Sequence, residues 1–345
     1  MSDQIDQRRR RFFGAAAATV ATAQLGLSAV AHAQTIAATP APASSAAGFT
    51  SIKQIDAGVL NIGYAELGPA NGKPVILLHG WPYDIHSFID VAPLLAAAGH
   101  RVIVPHLRGH GSTRFLSADA LRNAQQSAVA QDIIALMDAL RMPSAIIAGF
   151  DWGARTACIM AALWPRRCQA LVSVSGYLMT NLATAQKPLP PKAEFDWWYQ
   201  FYFTTERGVT GYTQYRREFA ELIWKTASPK WQFDAVTFKR SAASFDNPDY
   251  VAIVIHNYRW RLGLADGERQ YDALERRLAE LPVIGIPTIT LEGDANGAPF
   301  LPPPLYRNKF SGKYAHRNLT GGIGHNLPQE APQEFANAVL AVTKL

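Results

Sequence analysis

The sequence predicts an α/β protein: a mostly parallel sheet flanked by helices, with a helical cap inserted in the chain. Three observations predict it. Short apolar runs alternate with helix-like stretches from about residue 73 to residue 176. An aromatic-rich stretch without strand alternation follows, to about residue 262, and the alternation then resumes up to the C terminus. Strands that alternate with helices build a parallel sheet, because a parallel pair needs a long crossover and a helix is the usual one.

The chain of 345 residues, 48% of them hydrophobic, is long enough for one large core or two modest ones. It opens on an export pattern over residues 1–33. Arg8 to Arg11 precede Phe12-Phe13 and a weakly apolar run diluted by Ala, Thr, Gln and Gly, and Ala31-His32-Ala33 offers a small-residue cleavage site. Paired arginines before such a run are the pattern of a twin-arginine signal, which exports folded proteins to the periplasm or beyond. The alternative is a membrane anchor, but the run is poor in Leu, Ile and Phe. Residues 34–48, "QTIAATPAPASSAAG", read as an Ala/Pro/Ser-rich linker, with structure expected to start near Phe49.

The first part of the core is expected over residues 49–176. "KPVILLHG" reads as a buried strand, "FIDVAPLLAAAGH" as a helix, "RVIVPHLRG" as a strand, "SAVAQDIIALMDAL" as a helix and "SAIIAGF" as a strand. After Asp151 come the helix "ARTACIMAALWP" and the strand "ALVSVSG". The cap is expected over residues 177–262, which hold five of the eight tryptophans: Trp197, Trp198, Trp224, Trp231 and Trp260. The second part of the core, residues 263–345, carries "IPTITLEGD", "YAHRNLTGGIGHN" and the amphipathic closing helix "QEFANAVLAVTKL". Ligands of open α/β sheets bind at the carboxyl ends of the strands, so the site is expected between cap and sheet.

Composition narrows the partners. The formal net charge is +6, and cleavage after Ala33 would remove four arginines and two aspartates, leaving +4. No basic stripe interleaved with aromatics lies beyond the signal, so nucleic acid is an unsupported partner, and a small, apolar molecule is the expected one. The two cysteines, Cys158 and Cys168, lie ten residues apart on helix-like sequence, beyond disulfide reach, and are expected to be free thiols. His79, His106 and His110 fall in turns with loop-like spacing, and no Cys/His grouping has metal-ligand spacing; neither metal nor cofactor is implied. The oligomeric state is not legible in the sequence.

The chemistry is expected in "GFDWGAR", residues 149–155. A Gly-x-nucleophile-x-Gly turn between strand and helix presents its central side chain at the top of the sheet, and Gly149 and Gly153 permit the turn. Here that side chain is Asp151. The helix N-terminus favours its ionised form, and a carboxylate is a nucleophile toward saturated carbon. The resulting alkyl-enzyme ester needs a base to activate water, and His325, in "GIGHN" before the last helix, is placed for it. A plainer role is open to Asp151 alone, since Asp is a favoured N-cap; the elbow glycines and the late histidine argue against it.

These motifs, from "HGWP" at 79–82 to "GHN" at 324–326, resemble the α/β-hydrolase fold, and the aspartate elbow resembles its epoxide hydrolase and haloalkane dehalogenase branch, epoxide hydrolases most of all. The resemblance covers nearly all of residues 50–345. "HGWP" is similar to the HGFP-type motif, which implies an oxyanion hole from the backbone N–H groups of Trp81 and Trp152, whose side chains would also wall the pocket. "RGHGST" is similar to a structural signature of the fold. "WWYQFYF", 197–203, resembles the cap segment FDYQLYF and implies a ring-opening role for Tyr199, with Trp197, Gln200 and Phe203 lining the pocket. "NYRW", 257–260, resembles the segment carrying the second ring-opening tyrosine, here Tyr258. Two phenols suit epoxide opening, because the leaving oxygen gathers negative charge as the carboxylate attacks.

The halide site of haloalkane dehalogenases uses the Trp after the nucleophile, here Trp152, and often an Asn after "HG", here replaced by Trp81. Fluoroacetate dehalogenases place an Arg directly after the nucleophile and a His-Trp pair in the cap; Trp152, Tyr199 and Gln200 occupy those positions, and only Arg155 remains. The resemblance also implies an acid supporting His325 in a G-x-x-D pattern after the seventh strand. This chain reads "EGDANG", so Asn296 stands in the acid's place and Asp294, two residues earlier, is the other candidate; the alternative acid position, after the sixth strand, is Ser175. The reading is an exported epoxide hydrolase-like enzyme, with a haloalkane dehalogenase, or a catalytically inactive ligand-binding protein of the same fold, as alternatives.

Overall fold

In a computed structural model the described residues are 33–38, 48–185 and 187–345. The export pattern, apart from Ala33, and residues 39–47 of the expected linker lie outside them. Ten strands form one sheet: β1 Ala33–Ala37, β2 Lys53–Ala57, β3 Leu60–Leu67, β4 Lys73–Leu78, β5 His100–Pro105, β6 Arg114–Phe115, β7 Ala145–Gly149, β8 Cys168–Val174, β9 Thr288–Gly293 and β10 Tyr314–Thr320. Their spatial order is β1-β10-β9-β8-β7-β4-β5-β3-β2, with β6 paired to β3 off this path. Pairs from β1 to β5 along that order are parallel; β3 runs antiparallel to both β5 and β2. The arrangement is thus the mostly parallel sheet flanked by helices that the sequence predicts.

Alternation along the strands divides the core between two faces. In β4, Ile76 and Leu78 join a cluster with Val129, Ile133 and Met160 of the helices Gln126–Ala139 and Trp152–Leu163. Val75 and Leu77 join the other cluster, with Val91 and Leu95 of the helix Val91–Ala97 and Phe335 and Val339 of the helix Pro332–Val342. These strand residues are fully buried, and each such aliphatic side chain contributes about 2 kcal/mol by leaving water. Being buried on both faces, the central strands read as unbroken apolar runs, which is why they are recognisable in the sequence.

One expectation is corrected. Residues 33–37, read as signal end and linker, form the edge strand β1, in parallel register with His316–Thr320. The free edge of β10 offers a row of backbone donors and acceptors, and Ile36 packs half-buried against the core. The β2–β3 hairpin precedes the first strand recognised in the sequence, and its outer strand, five residues long and largely exposed, offers no apolar run to mark it.

Between β8 and β9 stand the cap helices Leu182–Ala185, Pro191–Asp196, Trp198–Tyr202, Glu206–Ala227, Ala235–Ala242 and Tyr250–Arg261. Thr205 caps the long one, its Oγ1 accepting from Gly208 N at 2.9 Å, and the helix bends at Tyr215 (φ −117°, ψ 29°). Among the described residues no helix is long and apolar enough to cross a membrane. Cys158 and Cys168 are both buried and free.

Candidate active site

Asp151 sits at the end of β7, immediately before the helix Trp152–Leu163, with φ 52° and ψ −122°. A non-glycine residue held in that region is strained, and such strain collects at functional sites. Close packing fixes it: a Cβ on Gly153 would lie 1.9 Å from the Leu78 carbonyl oxygen, and one on Gly80 would lie 2.5 Å from Asp151 Cβ. The elbow therefore requires glycine on both sides of the carboxylate.

Three groups hold that carboxylate. Trp81 N donates to Oδ1 at 2.8 Å, His325 Nε2 lies 3.4 Å from Oδ2, and the Arg155 guanidinium acts on it from the same helix. Burial pushes the Asp151 carboxyl up, but His325, the Trp81 N–H and Arg155 together outweigh it and hold the group below the ordinary carboxylate range. Of the two expected oxyanion donors, Trp81 N is thus engaged with Asp151, and Trp152 N opens the following helix.

His325, 8% exposed, lies in the turn before the helix Leu327–Glu330. Its backbone N–H donates to Ser228 Oγ at 2.8 Å, and Ser228 Oγ donates to Glu330 Oε1 at 2.7 Å. Its Nδ1 faces Asn296 Oδ1 at 3.2 Å. Of the two residues considered as its support, Asn296 is therefore the neighbour, and Asp294 is corrected. Asp294 Oδ1 accepts from Gly322 N and Ile323 N, each at 2.9 Å, and Oδ2 accepts from Gly321 N at 3.1 Å. It shapes the turn leading to His325 and does not reach the imidazole.

The cap brings Tyr199 and Tyr258 together over this centre, with ring centroids 5.3 Å apart. Both pack on Trp81, at 5.3 and 5.1 Å. Burial and, for Tyr199, the Asp151 charge push the phenols up; for Tyr258, burial, Tyr199 and Asp151 do so, so both keep their protons at neutral pH. Phe203 is fully buried against Trp81, Tyr199 and Tyr258; Gln200, next to Tyr199 in the chain, is buried, and half-buried Trp197 lies under the Arg261 guanidinium. The Trp81 indole N–H is taken by Tyr212 OH at 2.8 Å. The Trp152 indole N–H, in contrast, is buried without a partner among the described residues.

Among the described residues no group of three His, Cys, Asp or Glu could hold a metal ion. Two of the three clustered histidines bond to the loops: His79 Nδ1 faces Gly80 O at 2.9 Å, its Nε2 accepts from Leu107 N at 3.1 Å, and His110 Nδ1 faces Arg108 O at 3.0 Å. Burial pushes the imidazoles of His106 and His110 down to about 4, so they stay neutral.

Glu292, which the sequence reading passed over, lies behind Asn296: its Oε1 accepts from Asn296 Nδ2 at 2.7 Å. The available signal was an acidic residue within "TITLEG", a strand whose six residues are all buried. Ser228 and Glu330 were passed over too; they carry no motif and meet His325 only through the fold.

A family model for the alpha/beta hydrolase fold matches residues 73–220. A solved structure from Klebsiella pneumoniae subsp. pneumoniae MGH 78578, provisionally described as an epoxide hydrolase, is 60% identical, with TM-score 0.86 over 88% of this chain and 100% of that one. Epoxide hydrolase B of Mycobacterium tuberculosis is 30% identical over 151 residues, 40% of this chain and 42% of that protein. A haloalkane dehalogenase of Mycobacterium marinum is 31% identical over 139 residues, 39% of this chain and 45% of that protein. The chain's match thus spans less than half the length of each of these two curated relatives.

Proposed function

The chain belongs to the α/β-hydrolase family, in the branch of epoxide hydrolases and haloalkane dehalogenases, and on that premise we propose that it opens epoxides to diols through an ester on Asp151. The observation that carries this reading is a strained, ionised carboxylate facing two protonated phenols, Tyr199 and Tyr258, with a histidine beside it. In the first step an Asp151 oxygen bonds to an epoxide carbon, the carbon–oxygen bond of the ring breaks, and the departing oxygen takes a proton from a phenol. In the second, His325 Nε2 takes a proton from water while the water oxygen bonds to the ester carbonyl carbon. The Trp81 N–H, now facing a carbonyl in place of a carboxylate, stabilises the oxyanion; on collapse the bond to the diol oxygen breaks, that oxygen takes the proton from the His325 imidazolium, and the proton left on the Asp151 carboxyl returns to the phenolate, which restores the resting groups and releases the diol.

Replacing His325 by Gln removes the base and leaves the nucleophile. Intact-mass measurement after mixing His325→Gln with an epoxide should show a stable adduct on the peptide containing Asp151. No adduct, from a preparation whose wild type consumes that epoxide, would refute the ester.

A dehalogenase is the second reading, favoured by one observation: the unpartnered Trp152 indole N–H is a ready halide donor. The Trp81 indole N–H, held by Tyr212, is not. We further propose export, on the strength of the arginines and small-residue site in residues 1–33; cell fractionation with N-terminal sequencing should find the protein outside the cytoplasm and cut after Ala33.

A further inference from the structure

We infer that Glu292 is a positioning residue for His325, acting through Asn296: it fixes the orientation of the amide and supplies the negative charge that an acid in the place of Asn296 would carry. The inference deepens the ester mechanism proposed above and rests on it for its kinetic consequence.

The chain of contacts is continuous. Glu292, 5% exposed near the end of β9, accepts on Oε1 from Asn296 Nδ2 at 2.7 Å and from Gly293 N at 3.2 Å. With Nδ2 committed to a carboxylate, Asn296 must present Oδ1 on its other side, where Ala298 N donates to it at 2.9 Å and His325 Nδ1 lies at 3.2 Å. An amide oxygen only accepts, so Nδ1 carries the proton and Nε2 is left as the base, on the side of Asp151. Glu292 and the Ala298 N–H together oppose a flip of the amide, which would set an N–H donor against Nδ1 and favour the wrong tautomer.

The charge matters in the second step. An Asn can orient an imidazole but does not stabilise the imidazolium that forms when His325 takes a proton from water. While the ester exists, Asp151 is neutral. The remaining charges around the ring are then Glu292, reached through Asn296, and Glu330, whose Oε1 accepts from Ser228 Oγ behind the His325 backbone. The Tyr83 ring faces His325 from the loop after β4, Tyr306 lies near Glu292, and Arg155 acts on the Asp151 side. Among the described residues no lysine or arginine forms an ion pair with Glu292, so the charged group it can serve is His325. Burial pushes the Glu292 carboxyl up on balance, against Asn296, Ser175 and His325, which favour its ionised form.

The test is an NMR titration of the His325 imidazole in the resting full-length protein, its signal identified by loss in His325→Gln. Glu292→Gln keeps an acceptor for Asn296 and removes only the charge. The midpoint should move to lower pH by about one unit, the effect of one charge at an effective dielectric of ~20. Asn296→Asp in the Glu292→Gln background should move it back up, a rescue that a packing role would not give. Ester breakdown should slow by about 10-fold in Glu292→Gln, with ester formation unchanged. If Glu292→Gln fails to fold, Asn296→Leu cuts the same link with Glu292 in place and should also lower the midpoint. An unmoved or raised midpoint in a folded variant overturns the inference, even where the ester on Asp151 is found. A lowered midpoint with no ester on Asp151 leaves the Glu292 link standing and removes the mechanism.

Discussion

The two walls of the site treat hydrogen bonds in opposite ways. On the sheet wall the nucleophile, the base and its supports all have partners: Asp151 holds Trp81 N and His325, His325 faces Asn296, and Asn296 is held by Glu292 and Ala298. On the wall toward the cap, the Trp152 indole N–H and Asn257 Nδ2 are buried without partners among the described residues, and Arg155 hydrogen-bonds to Asn257 Oδ1 at 3.2 Å. Burial and neighbouring Arg261 push that guanidinium down to about 10. The difference follows from what each wall must do. A base and its supports keep one geometry through two steps, so their contacts are complete in the resting protein. Donors for a leaving group meet charge that exists only in the transition state, so they must be dry and available beforehand.

Breaking the cap wall should give the largest effect on the first step. Tyr199→Phe and Tyr258→Phe keep the packing on Trp81 and remove only the hydroxyls. Each should lower the rate of ester formation from an epoxide by about 10- to 1000-fold, the scale of one oxyanion donor, and the double variant should be nearly inactive. Ester formation from a bromoalkane, whose leaving group needs no proton, should barely change. Single-turnover mass spectrometry on both substrates measures the two rates. Full epoxide activity in both variants would reduce the pair to packing.

How legible each wall was in the sequence follows the same division. The parts on local motifs were readable: the Asp151 elbow, because its glycines and strand-to-helix switch are contiguous, and the central strands, because burial on both faces leaves uniform apolar runs. His325 stood out before the closing helix. The supports were not readable, since Glu292, Ser228 and Glu330 are set by contacts between segments distant in the chain; Ser228 Oγ and Glu330 lie 102 residues apart. Asp294 looked as suitable as Asn296 because two residues along a loop face different ways, and only the bonds from Gly321 to Ile323 show which way Asp294 faces. Strand β1 was hidden because its pairing is provided by the β10 edge and not by its own composition.

Trp152→Phe sharpens the comparison at an intermediate scale. It removes the unpartnered N–H and keeps an aromatic ring beside Tyr258. Halide release is where the donor would act, so bromoalkane turnover, where measurable, should fall about 10-fold, whereas epoxide opening should stay within about 3-fold. Stability should fall by about 1–2 kcal/mol, because the smaller ring leaves a cavity whose cost exceeds the relief of removing a buried donor without a partner. Denaturant unfolding of both proteins checks this, and a loss well beyond about 3 kcal/mol would mean that the N–H has a partner after all.

The smallest effect belongs to a fully partnered group on the sheet side, Asp84, four residues after Gly80. Its carboxylate is 1% exposed, accepts from His86 N at 3.0 Å and meets His86 Nδ1 at 2.7 Å, holding the short helix Ile85–Phe88. Burial pushes the Asp84 carboxyl up, but His86 beside it, with lesser help from His106 and His79, brings it down to about 2. A folded-state value below the unfolded one means that the charged form stabilises the fold above the unfolded pKa, near 4, and that this contribution is lost as pH falls toward 2. The shift corresponds to about 2 kcal/mol. Asp84→Asn should therefore unfold a few degrees lower than wild type at pH 7, with ester formation on Asp151 within about 3-fold of normal, and the two unfolding curves should converge as pH drops from 4 toward 2. A gap that persists at low pH would trace the loss to packing in place of charge, and a large loss of ester formation would show that the sheet wall transmits strain from Asp84 to the Trp81 N–H.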